Sequence, residues 1–408
     1  MEGRSDSLAL TPFDAERDVA RYRWVILAVG MAAQAVFAAV LWGVPVLLPA
    51  IRVRYGLSLG QVGVVLAAVS YGMVFAVLGW GWVVDRLGER PVIVMGLAGS
   101  GLALLAAALA PSFAILVAAL AFSGSFGSSV IPASGRAVMG WFPAEKRGLA
   151  LGIRQTGVPI GAASSALALP ALLHGTGLAG AFAALAGLCA LALGATAMWL
   201  RRPDDGRRSS EERSPAAAST RPLRDARVWR ITLTGTLLFP AQACMLGYTV
   251  VFLHQERGLS TAHGGAILAG IQVLGAALRI TAGRWSDSVG SRIGPLRLLS
   301  LAIAIGLAAV ALSVDAPITV LVPMLVVAGG LSISWNGLVY TATAEVAGRG
   351  SSGVAIGLQQ TGLAIAGTVA PLAIAAIVDA SSWSVGFGAV ALCSLMALTL
   401  LRGAIRRV

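Results

Sequence analysis

Two arginines lie where a guanidinium is costly. Arg154 sits in GIRQTGVPIG (152–161), inside a long apolar run, with no acidic residue within seven positions on either side. Arg279 sits in LRITAGRWSD (278–287), seven residues before the end of another apolar run. An arginine at the centre of a bilayer helix costs roughly 2.5–3.5 kcal/mol on insertion scales, so such residues mark functional sites. The chemistry open to them is anion binding, because the planar guanidinium fork matches a carboxylate or nitrate. GLQQTG (357–362) repeats GIRQTG (152–157) with Gln359 in the place of Arg154. The scaffold therefore builds this turn without the charge, and the contents of a cavity are the better reason for Arg154. The competing reading is that each arginine snorkels to the interface or bonds backbone carbonyls at helix ends.

These side chains must be carried by membrane helices. The 408 residues are 57% hydrophobic and 12% charged, with a mean hydropathy of +0.83; a soluble domain carries about 25% charge. Apolar runs of about 20 residues mark spanning helices. Twelve are predicted, at 22–50, 59–84, 91–110, 113–141, 148–173, 178–200, 229–253, 261–286, 294–313, 317–343, 352–378 and 383–402. The three cysteines fall in apolar runs and offer no disulfide or metal spacing. No P-loop, hydrolase elbow or zinc motif occurs, so no catalytic residue, cofactor or metal is expected.

The net charge of +12 is a topology signal and speaks against nucleic acid. The even-numbered loops hold Arg86 and Arg90, Lys146 and Arg147, nine arginines between 201 and 230, then Arg284, Arg292, Arg297 and Arg349. The odd-numbered loops hold only Arg52, Arg54 and Arg257. Both termini and the even loops are therefore expected in the cytoplasm. The chain divides into a tail (1–21), a six-helix bundle (22–200), a polar linker (201–228), a second six-helix bundle (229–402) and a short tail (403–408). The halves repeat. GWVVDRLGER (81–90) matches GRWSDSVGSR (283–292) at an offset of 202, and the GIRQTG pair matches at 205. Parallel six-helix repeats of this kind are a known transporter plan, with two halves rocking about a central site.

Twelve spans, a long central loop and G-x-x-x-D-R-x-G-x-R after the second span (Gly81, Asp85, Arg86, Gly88, Arg90) resemble the major facilitator superfamily. The resemblance covers essentially the whole chain and implies an all-α integral membrane fold with alternating access. Spans 1, 4, 7 and 10 would line the cavity, and spans 2, 5, 8 and 11 would form the moving interface. Arg279, eight residues before Asp287, resembles the substrate-binding arginine of the oxalate/formate, monocarboxylate and nitrate carriers. Gly275 stands where some of those carriers have an aspartate, and Gln359 and Gln360 where others have a basic residue, which leaves the anion open. By the same resemblance spans 5 and 8 face each other. Arg154 and Arg279 then lie at one depth, about 10 Å from the cytoplasmic side, and repel unless an anion lies between them.

Gln272 lies two turns from Arg279 on the same face. Gln34, Tyr71, Tyr248, Trp335, Asn336, Gln359 and Gln360 complete the intramembrane polar and aromatic set, with helix–helix hydrogen bonding as the alternative for each. Gln155 and Gln360 are repeat mates beside Thr156 and Thr361, which suits packing symmetry. Asp85, Glu145, Asp287, Glu345 and Asp379 all fall at helix ends or in loops, so no buried proton relay is expected. His174, His254 and His263 fall near the outer ends. Asp85, Arg86, Arg90, Arg136, Glu145 and Asp287, with Gly81 and Gly88, read as a cytoplasmic gate latch favouring an outward-open state. The expectation is a monomeric plasma-membrane carrier for a small anion, a mono- or dicarboxylate, working by exchange or with protons. The alternatives are drug efflux, which would want a membrane-buried carboxylate, and a transport-inactive sensor.

Overall fold

The computed structural model describes residues 12–201 and 222–401. They form fifteen α-helices and, among the described residues, no strand. These are α1 (Pro12–Tyr55), α2 (Leu59–Leu87), α3 (Glu89–Ala108), α4 (Phe113–Gly127), α5 (Val130–Trp141), α6 (Ala144–Gln155), α7 (Gly157–Trp199), α8 (Ala226–Gly247), α9 (Thr249–Gln255), α10 (Thr261–Val289), α11 (Ile293–Leu312), α12 (Ile318–Ser332), α13 (Asn336–Ala347), α14 (Ser352–Ala380) and α15 (Trp383–Leu401). Part of the expected tail 1–21 is helical, since α1 begins at Pro12. Most of the expected linker, and the tail 403–408, lie outside the described residues. The end of the linker is a single 3₁₀ turn, Pro222–Arg224, followed by Asp225, whose carboxylate caps α8 by accepting from Arg227 N at 2.8 Å.

Ten helical stretches are long and apolar enough to cross a membrane, and α8 with α9, bent by 47°, makes an eleventh. One stretch, Ala144–Trp199, runs 56 residues. At 1.5 Å per residue that is about 84 Å, enough for two crossings of a ~30 Å core. Gly177 divides it with φ +70°, a left-handed backbone that glycine adopts without strain. The twelve expected spans follow.

Four expected spans are broken within their length. The fourth breaks at Ser128–Ser129, the fifth at Thr156, the seventh at Tyr248 and the tenth at Ile333–Trp335. Hydroxyl residues sit at three of the breaks and donate to the carbonyl three residues back. These are Ser128 to Ser125 O (2.8 Å), Thr156 to Ile153 O (2.6 Å) and Ser334 to Leu331 O (2.8 Å). Such local bonds compete with the helical ladder. Irregular backbone at this depth is tolerated because surrounding protein satisfies it. Hydropathy is blind to these breaks, since it registers only that each segment is apolar.

We call the end carrying Arg86, Arg90, Lys146, Arg147, Arg284, Arg292 and Arg297 the basic end. One apolar cluster is shared between α1–α7 and α8–α15: Leu27, Val77, Val138 and Leu151 pack with Tyr340, Ala344 and Ile356. It lies toward the basic end. There α10 packs on α6, but it makes no comparable packing on α7, the continuation of the same span. The two sets of helices are thus closed together at the basic end and part between α7 and α10 away from it.

Candidate functional site

Arg154 and Arg279 both end at the helix breaks. Arg154, on α6, is wholly enclosed at 0% exposure. Its Nε donates to Ser134 Oγ (3.0 Å), its Nη2 to Ser134 Oγ and to Ile131 O (both 2.8 Å), and its Nη1 to Gln155 Oε1 (3.2 Å). The Tyr340 ring lies 5.6 Å from the guanidinium carbon, within cation–π range. Four of the five N–H groups are therefore held by protein. In this conformation Arg154 fastens α6 to α5, as in the carbonyl-bonding reading of the sequence. Arg154→Leu would strip donors from buried acceptors, each worth about 1–3 kcal/mol when left unpaired. It is expected to lower the unfolding temperature of the purified protein more than any other single change among the residues named here, with Arg154→Lys restoring part of the loss.

Arg279, on α10, is 6% exposed. Its Nε and Nη2 converge on Ile333 O (3.1 and 2.7 Å), the carbonyl freed by the break in the tenth span. Its Nη1 crosses between the two sets of helices to Gln155 O (2.8 Å), beside the break in the fifth span. Two of its N–H groups have no partner among the described residues. Neither arginine makes an ion pair among the described residues.

A continuous polar layer results. Gln34 Nε2 donates to Gln155 Oε1 (2.7 Å), which also accepts from Arg154. Asn336 Nδ2 donates to Gln242 Oε1 (2.8 Å) and approaches Ile333 O (3.4 Å). Tyr340 OH donates to Gln360 Oε1. The structure thus joins Gln34, Arg154, Arg279, Asn336 and Gln360. It adds Gln155, Ser134, Gln242 and Tyr340, which the sequence reading did not place in the site. Gln155 is the hub, its side chain holding Arg154 and its carbonyl holding Arg279. The signal for Gln242 was an amide within an apolar run; Ser134 and Tyr340 offered none.

The other expected residues stand apart. Trp335 is not a pocket wall: its indole is fully enclosed in the apolar core and donates to Ser332 O (2.8 Å). Gln359 is also fully enclosed, with neither amide atom partnered among the described residues. Tyr248, at the α8–α9 break, donates to Pro371 O (2.7 Å), far from the arginines. Gln272 is half-buried, and Tyr71 on α2 is 49% exposed.

At the basic end two contacts obey one symmetry. Asp85 accepts from Gly353 N and Val354 N (3.0 and 2.9 Å), at the start of α14. Asp287 accepts from Gly148 N and Leu149 N (2.9 and 2.8 Å), in α6. A carboxylate near a helix N-terminus is favoured by the orphan N–H groups and the macrodipole. Arg136 lies 3.6 Å from Asp85 and 3.5 Å from Glu89, and donates to Val84 O. Arg292 pairs with Asp287 (2.5 Å) and Glu345 (3.0 Å) and donates to Ala144 O (2.6 Å). Gly88 caps α2 with φ 86°. Arg86 stacks on Trp82 at 3.6 Å, and Arg90 donates to Ala197 O. Glu145 is exposed and joins none of this; the carboxylate that pairs is Glu345. Among the described residues no three His, Cys, Asp or Glu side chains gather in one place.

Twelve spans in two interlocked sets, closed at one end around a buried polar layer, define a membrane transporter. Residues 30–371 match the profile described as Major Facilitator Superfamily, and the chain belongs to that family. It is similar to an MFS-type transporter of Mycobacterium tuberculosis, 32% identical over 377 residues covering 92% of this chain and 83% of that one. It is similar also to a probable sulfoacetate transporter of Cupriavidus necator, 26% identical over 356 residues covering 81% of each. Among solved structures the Escherichia coli fucose:proton symporter superposes with a TM-score of 0.74 at 15% identity, covering 93% of this chain and 98% of that one.

Proposed function

We propose that the protein moves a small organic anion by alternating access, with Arg279 as the primary ligand. The observation that carries this is the pair of N–H groups that Arg279 keeps free on a guanidinium without a carboxylate partner. An anion reaching Arg279 competes with Gln155 O, the contact that crosses between the two sets of helices, so binding and opening of the basic end are coupled. Arg154, tied through Gln155 to the same layer, adds a second positive charge without direct contact in this state. Gln242, Asn336 and Gln360, already in the polar layer, are the groups that would orient the cargo.

The name of the Cupriavidus relative specifies sulfoacetate, which carries a carboxylate and a sulfonate, and this supports a mono- or dianionic substrate of that size. Exchange, or symport in which the proton travels with the substrate, fits a membrane interior whose carboxylates all lie at helix ends. The distribution of basic residues supports a plasma-membrane location with both termini cytoplasmic; with that orientation the contacts closing the basic end make this an outward-open state, and twelve spans suffice for a monomeric carrier.

Thermal unfolding of the purified protein with mono- and dicarboxylates, sulfoacetate, nitrate and cationic drugs tests this. A ligand at 100 times its Kd stabilises by about 2.7 kcal/mol, so a true substrate raises Tm measurably. Stabilisation by anions is expected. Stabilisation by cationic drugs alone would replace this reading with drug efflux.

A further inference from the structure

The offset of 205 residues holds in three dimensions. A Cβ on Gly30 would lie 3.3 Å from Ser134, and one on Gly235 would lie 3.1 Å from Val339 and 3.4 Å from Leu363. Gly235, Val339 and Leu363 thus mark the point where α8, α13 and α14 meet. One helical turn nearer the basic end, each helix presents a polar residue: Thr232, Thr343 and Gln359. Their exposures are 2%, 0% and 0%. Both hydroxyls, and both atoms of the Gln359 amide, have no hydrogen-bond partner among the described residues.

The first half fills the matching place differently. Thr232 and Thr343 correspond to Leu27 and Val138, and Gln359 to Arg154, whose guanidinium reaches Ser134 and Ile131 O. Gln359 is shorter, and the mate of Ser134 is Val339, which offers no hydroxyl. Four buried polar atoms therefore face the volume that a guanidinium occupies in the other half. Leaving them bare would cost about 1–3 kcal/mol each.

We propose that Thr232, Thr343 and Gln359 form a buried water-binding site between α8, α13 and α14. The donor and acceptor inventory selects the ligand. Gln359 Nε2 needs an acceptor, which a cation cannot supply, and Gln359 Oε1 needs a donor, which an anion cannot supply. Water supplies both and commonly makes about three such bonds when buried. The eleventh span, which carries the Gly353–Val354 end held by Asp85, thus rests on exchangeable solvent. The fifth rests on a fixed guanidinium. This inference stands apart from the identity of the substrate.

Thermal unfolding of the full-length protein separates a hydrated site from a dry one. With water present, Gln359→Met, Thr232→Val and Thr343→Val each lower Tm by about 1–3 °C, on the scale of roughly 1–3 kcal/mol per lost partner. The Thr232→Val/Thr343→Val double variant loses clearly less than the sum, because both deletions act on the same water. A rise in Tm for Gln359→Met, no change in the singles, or additive losses would overturn the proposal. If a variant does not accumulate, an experimental density map of the wild type decides: ordered density within about 3 Å of the three side chains is expected. A Gln359 amide turned onto Thr343, with no such density, overturns it.

Discussion

Arg279→Gln is expected to reduce anion transport by at least about 100-fold while the protein still folds. Each charge-assisted hydrogen bond is worth about 1.5–3 kcal/mol, and 1.4 kcal/mol is a factor of ten in affinity. Loss of one such bond to the cargo therefore weakens binding by about 10–100-fold. Loss of the bond to Gln155 O uncouples binding from closure in addition. The fold is expected to survive because Arg279 is 6% exposed and serves two backbone carbonyls, whereas Arg154 is wholly enclosed. Arg279→Lys keeps the charge but cannot hold Ile333 O and Gln155 O together, so binding should persist while transport falls. Uptake or counterflow in proteoliposomes, with binding measured separately, reads both effects. Unchanged transport by Arg279→Gln would remove Arg279 from the site.

Gly81→Ala is expected to shift the protein away from the conformation seen here, and Gly79→Ala, two residues earlier on α2, to do nothing. A Cβ on Gly79 meets no atom within 4 Å. One on Gly81 would run into the Gly353 carbonyl, with Gly353 C at 2.8 Å and Val354 Cα at 3.0 Å. The neighbour is backbone and cannot swing aside. Overpacking of this kind costs about 1–3 kcal/mol, here only in the state where α2 and α14 touch. The closed–open equilibrium at the basic end then moves by about 5- to 150-fold. Cysteines introduced at the basic end should become more reactive and Tyr71→Cys less so, and transport should slow. Equal labelling in the two glycine variants would show that this crossing does not gate the carrier.

The gross architecture was legible because hydropathy and arginine placement are strong, one-dimensional signals. The division at Gly177, between expected spans 148–173 and 178–200, lies where the apolar run thins to HGTG. The arginines were legible as costly residues, but what they touch was not. Ile131 O, Ile333 O and Gln155 O are backbone acceptors, the last two at helix breaks that leave no mark in hydropathy. For the same reason Gln155 looked like repeat-related packing, although its side chain and its carbonyl hold different arginines. Trp335 misled for the opposite reason. An aromatic at cavity depth reads the same whether it faces the lumen or its own bundle, and here its N–H is satisfied by Ser332 in the core. Glu145 was one carboxylate among several near the basic end, and only the packing of α10 against α6 and α13 selects Glu345.

The two aspartate contacts at the basic end carry a further meaning. Asp85 grips Gly353 and Val354, and Asp287 grips Gly148 and Leu149, so residue i of one half meets residue j of the other and the reverse holds too. That is the definition of an isologous interface, the kind that two copies of one chain form around a twofold axis. At this end the protein is a dimer of its own halves. The interior has given up that symmetry: a guanidinium holds one half where an amide stands in the other, so the chain has kept its clasp duplicated and made its interior one-sided.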